Sequence, residues 1–419
     1  MFCVILVILM MMRIVCVLFF VSVWLSPSCV SAQVKAVKTW VARKAEERKP
    51  LNKFAFYEKA LNKEEAREIA TLLFDEKLKE VKKKNERMWG GKCFSREGLR
   101  MPFDYKVFGV KPADGRSLYI SMHGGGSAPE AVNTQQWKNQ IQLYQPTEGV
   151  YVAPRAPWDD WNMWFKPGLD EFFDELIRTA VVMMDVNPDK VYLLGYSAGG
   201  DGVWRMAPRM ADRWAAASMM AGHPGEASQV NLRNVPFMIW MGERDAAYNR
   251  NTLAAEKGVV MDSLHASDPE GYIHETRIVK GKGHWMDRED RAAIPWMAKY
   301  QREPNPTKVV WRQEEVVMPS LYWLRVDTDE AKHGMEVVVE RNGNTFTILK
   351  NDYKRLIIRL NDEMIDFEQP VEIFYQGNKL FSGKVKRTLK NIAESIDERV
   401  DRRLIFSGKL TVVDNGKVE

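Results

Sequence analysis

Cysteine is almost missing from this chain. Of 419 residues only four are cysteine, and three of them, Cys3, Cys16 and Cys29, fall within the first 32. Cys93 stands alone in the remainder, which excludes an internal disulfide and a cysteine-cluster metal site there. Histidine is scarce too, with six residues and no His-Glu-x-x-His pair, so the common signature of a zinc hydrolase is lacking. No metal and no organic cofactor is implied. Beyond Leu25 no apolar run approaches the length needed to cross a membrane, and no repeat or low-complexity tract interrupts the text.

A strong excess of charge is also lacking. The net charge is +5, and residues 35–92 carry 17 Lys and Arg against 10 Asp and Glu, leaving the later part of the chain slightly acidic. The basic bias is thus local and reads as a solvated helix face, not as a nucleic-acid surface. With 45% apolar residues the chain is long enough for two or three domains with cores of their own.

What is present begins with a leader. Residues 1–32 are apolar from Phe2 to Leu25, hold one charge at Arg13 and end in Val30-Ser31-Ala32. They read as a secretory signal peptide, with a retained anchor as the alternative. Met10-Met11-Met12-Arg13 offers an internal start that would give a short charged region before the apolar one. The expectation is a secreted or periplasmic protein, associated with the cell envelope if the anchor stays. Residues 33–102 then read as a helical segment in which Asn62-Lys-Glu-Glu65 starts a helix running to about Met88, with Ile69, Leu72, Leu73 and Leu78 as its apolar stripe.

From residue 103 to 303 short apolar strands alternate with helical or loop segments: Tyr105 to Val110, Ser117 to Met122, Val150 to Ala153, Val191 to Leu194, Ala215 to Met220, Phe237 to Met241 and Glu275 to Val279. Such alternation predicts a doubly wound, mainly parallel α/β sheet, with chemistry at the carboxyl ends of its strands. Pro304-Asn-Pro306 marks a boundary. Residues 304–419 are rich in strands, with hairpin signals at Arg341-Asn-Gly-Asn344 and Gln376-Gly-Asn378, a helix over 388–403 and a last strand at 409–413. They predict a small β-sandwich.

The central motif is Gly195-Tyr-Ser-Ala-Gly199, placed where an apolar strand meets a helix. A serine at such a sharp turn is held in strained geometry with its hydroxyl raised, and the helix start behind it favours developing negative charge. A phosphate-binding loop is excluded, because neither Gly-x-Gly-x-x-Gly spacing nor a following Lys-Ser/Thr is present. Ser197 is the candidate nucleophile. Its base is sought among His265, His274, His284 and His333, and His284 is favoured because it sits on the glycine-rich loop Lys280-Gly-Lys-Gly-His284 directly after a strand. Asp245, after the strand 237–241, is the candidate orienting acid, with Glu243 and Asp287 as weaker candidates. Met122-His-Gly-Gly-Gly-Ser127 supplies glycines whose amides can approach a substrate oxygen, so Gly124, Gly125 and Ala198 are candidate oxyanion donors. The loop after Ala153 carries Trp158, Trp161 and Trp164. Trp158 and Trp161 are expected to line the substrate pocket or, as an equal alternative, to floor their own loop, and Tyr196, Trp285, His223 and Tyr248 are further candidates for the pocket, with packing as their alternative role.

Residues 104–300 resemble an α/β-hydrolase of the polyhydroxybutyrate depolymerase and feruloyl esterase-like group. The resemblance is carried by His123-Gly-Gly-Gly126, Gly195-Tyr-Ser-Ala-Gly199, Gly242-Glu-Arg-Asp245 and Gly281-Lys-Gly-His284, and extends through Gly199-Gly-Asp-Gly-Val-Trp204 to Met220-Ala-Gly-His-Pro224. It implies a serine esterase in which Ser197 attacks, His284 acts as base and then acid, and Asp245 orients it. Such relatives usually hold disulfides near the site, which this chain cannot form. The implied partners are a small-molecule or polymer-linked ester and, through the C-terminal domain, a glycan; no nucleic acid is implied. An ordinary histidine titrates near 6.5, so activity is expected to rise through about pH 6 to 7. Two other readings are a prolyl oligopeptidase-type peptidase, which normally carries a propeller ahead of the catalytic domain, and a binding protein on an inactive hydrolase fold.

Overall fold

Asn62 opens the longest helix by closing a capping box: its side chain accepts from the Glu65 amide at 2.9 Å while the Glu65 carboxylate accepts from the Asn62 amide at 2.9 Å. The computed structural model describes residues 31–419, so the leader reading lies outside it apart from its last two residues. A short helix α1 (Ala32–Val41) and the capped helix α2 (Lys63–Gly90) come first. Ile69, Leu73, Phe74 and Val81 of α2 are buried, and they pack on Leu389, Ile392 and Ile396 far along the chain. None of the described helices is long and apolar enough to cross a membrane.

The main sheet has eight strands: β1 (Cys93–Arg96), β2 (Leu99–Phe108), β3 (Arg116–Met122), β4 (Gly149–Pro154), β5 (Val186–Tyr196), β6 (Ala216–Met220), β7 (Phe237–Gly242) and β8 (His274–Val279). Their order is β1-β2-β4-β3-β5-β6-β7-β8, with β3 to β8 parallel and the β1–β2 hairpin antiparallel at one edge. The sheet therefore begins at Cys93, inside the segment read from sequence as helical. A two-residue turn at Glu97-Gly98, both left-handed, closes the hairpin, and Phe94 stacks on Phe103 at 5.1 Å. β1 is short and half polar, which is why periodicity did not reveal it.

Alternation along each strand splits the core between the two faces. Leu118, Ile120, Val152, Val191 and Leu193 pack on one side with Trp164, Phe173 and Trp204. Tyr119, Tyr151, Tyr192 and Leu194 pack on the other with Trp240, Ile294 and Met297. The helices covering these faces are α3 (Glu130–Leu143), α4 (Leu169–Met184), α5 (Ala198–Arg209), α6 (Arg250–Ser267) and α7 (Ala293–Met297).

Ten further strands follow: β9 (Lys308–Arg312), β10 (Ser320–Leu321), β11 (Leu324–Val326), β12 (Glu336–Asn342), β13 (Thr345–Asn351), β14 (Arg355–Leu360), β15 (Val371–Tyr375), β16 (Asn378–Gly383), β17 (Gly408–Val413) and β18 (Lys417–Val418), with helix α8 (Leu389–Glu398) before β17. They form two five-stranded sheets, β10-β11-β14-β17-β18 and β16-β15-β13-β12-β9. Val337, Val339, Phe346 and Ile348 of one sheet share a core with Leu356, Ile358, Leu410 and Val412 of the other, which makes a sandwich. Both expected hairpins form, β12–β13 and β15–β16.

Sandwich and main sheet are joined by buried ions. Asp212, behind α5, is paired with Arg213 at 2.5 Å and with Arg399, and accepts from the Tyr322 amide at 3.0 Å. Arg302 bridges Asp189 at 2.6 Å and Asp401 at 2.7 Å. Burial by itself raises the pKa of Asp212, but Arg213 and Arg399 outweigh it and hold the carboxyl well below its usual range. A folded-state pKa below the unfolded one stabilises above the unfolded value, near 3.9, and the benefit is lost as the pH falls below it. Asp212→Asn is expected to cost about 3 kcal/mol near neutrality, because it strands buried arginines. Its Tm should also fall less steeply than the wild type's between about pH 5 and pH 3. Parallel Tm-against-pH curves would show that Asp212 carries no such charge.

Candidate active site

Ser197 stands between the end of β5 and the start of α5 with φ 58° and ψ −121°, a conformation an L-residue adopts only under constraint. The turn is so tight that a Cβ on Gly199 would lie 2.1 Å from the Met122 carbonyl oxygen. Glycine is thus required there for α5 to pack behind the serine.

Two loops bring partners to the hydroxyl. Ser197 Oγ lies 2.9 Å from His284 Nε2, and His284 Nδ1 lies 2.7 Å from Asp245 Oδ2. Asp245 follows β7 and His284 follows β8, both at carboxyl ends of neighbouring strands. Asp245 is 3% exposed and is also gripped by Arg250, whose Nε and Nη2 donate to it at 3.1 and 3.0 Å. Burial raises the pKa of Asp245, but the hydrogen bonds from His284 and Arg250 prevail and keep it below the ordinary value. The carboxylate therefore remains ionised with both oxygens engaged. Glu243 and Asp287 are placed elsewhere: Glu243 accepts from the Gly281 amide at 2.7 Å, and Asp287 pairs with Lys282 at 2.7 Å.

The glycine loop after β3 is pinned from two sides. His123 is fully buried, its Nδ1–H donating to the Gly124 carbonyl at 2.6 Å while Nε2 accepts from the Ala156 amide at 3.1 Å. Burial pushes its pKa down to about 3, so it is a neutral fastener with a set tautomer. Asn133 of α3, also fully buried, accepts from the Gly126 amide at 2.8 Å and donates to Ala128 and Asp159 at 3.0 and 2.8 Å. Nothing in the sequence around Asn133 singled it out. Among the described residues the amides of Gly125 and Ala198 have no hydrogen-bond partner, and both residues line the same cleft as Ser197. Gly124 lies against the Ser197 side chain and is not part of the cleft wall. Asn133→Ala is expected to lower kcat by about 10- to 100-fold with a smaller change in KM, since the loop that carries Gly125 loses its fastener while the rest of the cleft wall is kept. An unchanged kcat would show that the loop holds its shape unaided.

The cleft has a volume of about 420 Å³. Trp161, 64% exposed, and Tyr248, 78% exposed, stand at its rim. His223 is in its wall as well, its Nδ1 accepting from the Gly225 amide at 2.9 Å. Three residues expected in the wall are placed differently. Tyr196 is buried, donates to the His284 carbonyl at 2.6 Å and accepts from the Met286 amide at 3.2 Å, so it steadies the histidine loop. Trp285 is 49% exposed and packs on Tyr196, outside the cleft. Trp158 is half-buried beneath the Lys166 ammonium at 5.3 Å and is also absent from the wall. Alternating strand positions explain the first case: a residue beside the elbow points into the sheet's packing layer while the serine points out.

The strand order, the turn between β5 and α5 and the carboxylate and imidazole after β7 and β8 together settle the architecture. The catalytic-type half is an α/β-hydrolase fold. No protein-family model matches the chain, and no curated protein sequence matches it. Solved structures similar to it include a thermostable esterase, at 18% identity and TM-score 0.39 over 50% of this chain and 62% of that one. A ferulic acid esterase is 15% identical with a TM-score of 0.36, over 49% of this chain and 95% of that one. A poly(3-hydroxybutyrate) depolymerase from Bordetella parapertussis is 14% identical with a TM-score of 0.35, over 49% and 87%.

Proposed function

We propose that the chain is a serine hydrolase that cleaves carboxylic esters through an acyl-enzyme intermediate. The observation that carries this reading is the continuous hydrogen-bonded line from Ser197 through His284 to Asp245, at 2.9 and 2.7 Å, with the unpartnered amides of Ala198 and Gly125 at its serine end. Ser197 Oγ attacks the ester carbonyl while His284 Nε2 takes its proton, and the amides of Ala198 and Gly125 receive the oxyanion. The collapsing intermediate expels the alcohol, which takes the proton from His284. Water then gives a proton to the same nitrogen as it attacks the acyl group, and the second intermediate collapses as Ser197 Oγ takes that proton back, freeing the acid. Asp245 holds the imidazole with Nδ1 protonated, so that Nε2 is the basic atom.

The test is covalent labelling by a fluorophosphonate read by intact mass. One adduct located on Ser197 by peptide mapping is expected. A folded, unlabelled protein that cleaves no p-nitrophenyl ester would reject the enzyme reading in favour of a binding role. Export through the leader is part of the proposal and rests on the composition of residues 1–32 alone; N-terminal sequencing of the protein purified from its host checks it.

A further inference from the structure

One wall of the cleft holds a guanidinium whose donors are not used up. Ser197, Asp201 and Arg205 are spaced by four along α5 and line the cleft from one helix face. Arg205 is only 10% exposed on its side chain, lies over the Phe165 ring at 5.2 Å from its centre, and is tethered through Nη1 to Glu315 in the loop between β9 and β10. Among the described residues no hydrogen bond engages its Nε or Nη2. The group is fitted closely, since a Cβ on Gly225 would stand 2.2 Å from Nη2.

The neighbouring groups do not take up these donors. Asp201, one turn closer to Ser197, has Oδ1 committed to the His223 amide at 2.6 Å, and burial pushes its carboxyl up to about 6. Glu314, buried with Oε1 unpartnered, and Glu226 act on Arg205 through charge, but neither makes an ion pair or hydrogen bond with it among the described residues. The other arginine of the cleft, Arg250, is spent on Asp245. His223 accepts through Nδ1 and brings no negative charge. What remains is a flat fork, Nε and Nη2 of a residue in the cleft wall, without hydrogen bonds among the described residues and not sealed from solvent, a donor pair that matches a carboxylate with two parallel hydrogen bonds.

We propose that Arg205, tethered by Glu315 of the C-terminal sandwich, is the carboxylate receptor of this cleft, and that the esters cleaved at Ser197 carry a free carboxylate a short chain away from the scissile bond. This rests on the serine esterase reading. Eight residues of helix separate the two Cα atoms by about 12 Å along the axis, and side chains on a helix tilt as a rule toward its N-terminus, here the Ser197 end, so the span suits a small dicarboxylate half-ester. It also assigns the sandwich a task at the site, because Glu315 reaches Arg205 from outside the main sheet.

The experiment compares kcat/KM for anionic and neutral esters of matched length. Ethyl hydrogen succinate, glutarate and adipate place the charge on the acyl side, and 4-acetoxybutanoate places it on the alcohol side; each is paired with its neutral counterpart. The wild type should prefer at least one anion by about tenfold or more at low salt. In Arg205→Gln that ratio should fall to about one, and in Arg205→Lys to an intermediate value, since lysine keeps the charge without the fork. Equal kcat/KM for every pair in the wild type, or a ratio that survives Arg205→Gln, overturns the proposal. If the wild type cleaves no ester at all, calorimetric titration with glutarate still reads the receptor: binding that is lost in Arg205→Gln keeps it while the esterase reading falls, and no binding overturns both.

Discussion

Ser197→Ala is expected to lower kcat on a neutral short-chain ester by at least about 10⁴-fold while KM stays within a few-fold. The substitution removes only Oγ. Cleft shape, the amides of Ala198 and Gly125 and the pair of His284 with Asp245 all remain, so substrate binding is spared and the covalent step is lost. Whatever rate survives reflects water attacking within the same electrostatic environment. The backbone at position 197 sits at φ 58°, equally strained for alanine, so the thermal midpoint should barely move. Steady-state kinetics with a melting curve on the same sample decide the matter. A variant retaining more than about one per cent of kcat would mean that another group supplies the nucleophile.

Asp245→Asn is the second large effect expected, about 10⁴-fold in kcat, and Arg250 makes the reason specific to this chain. The wild-type carboxylate accepts from two sides at once, His284 Nδ1 at 2.7 Å and the Arg250 guanidinium at about 3 Å. An amide has one accepting oxygen. Arg250 is all donor and will claim that oxygen, which turns the Asn Nδ2 donors toward His284 Nδ1. The imidazole must then accept at Nδ1 and carry its proton on Nε2, the atom that should take the proton from Ser197. The ring stays in place in the wrong tautomer, so geometry is preserved and basicity is misdirected. Fluorophosphonate labelling should slow in parallel with ester hydrolysis, because both require an activated Ser197. A normal labelling rate with slow turnover would instead put the role of Asp245 in deacylation alone.

Much of this molecule is readable along the chain. The expected bounds of β3, β4, β6, β7 and β8 agree with the structure to within one residue, because buried parallel strands spell nearly unbroken apolar runs between polar segments. β5 instead begins five residues before Val191, ahead of the polar stretch Asn187-Pro-Asp-Lys190. The Asn62 capping box and the two sandwich hairpins were legible for a similar reason: each is built from residues adjacent in sequence. The edge hairpin β1–β2 was not, since a four-residue strand that buries one side chain, Phe94, has no periodicity to detect.

The site divides along the same line. The sequence by itself determined the elbow at Ser197, the glycine loop after β3 and the order in which an acid and a histidine follow the serine, because these depend on backbone turns encoded locally. Only the tertiary structure decided that Asp245, and neither Glu243 nor Asp287, meets His284; that Tyr196 braces the histidine loop; that Asn133 and His123 fasten the glycines; and that Arg205 of α5 meets Glu315 of the sandwich. These contacts join residues far apart in the chain. Hydrogen bonds and ion pairs act over a few ångströms and depend on direction, so no pattern along the sequence records which distant side chains packing will bring within reach.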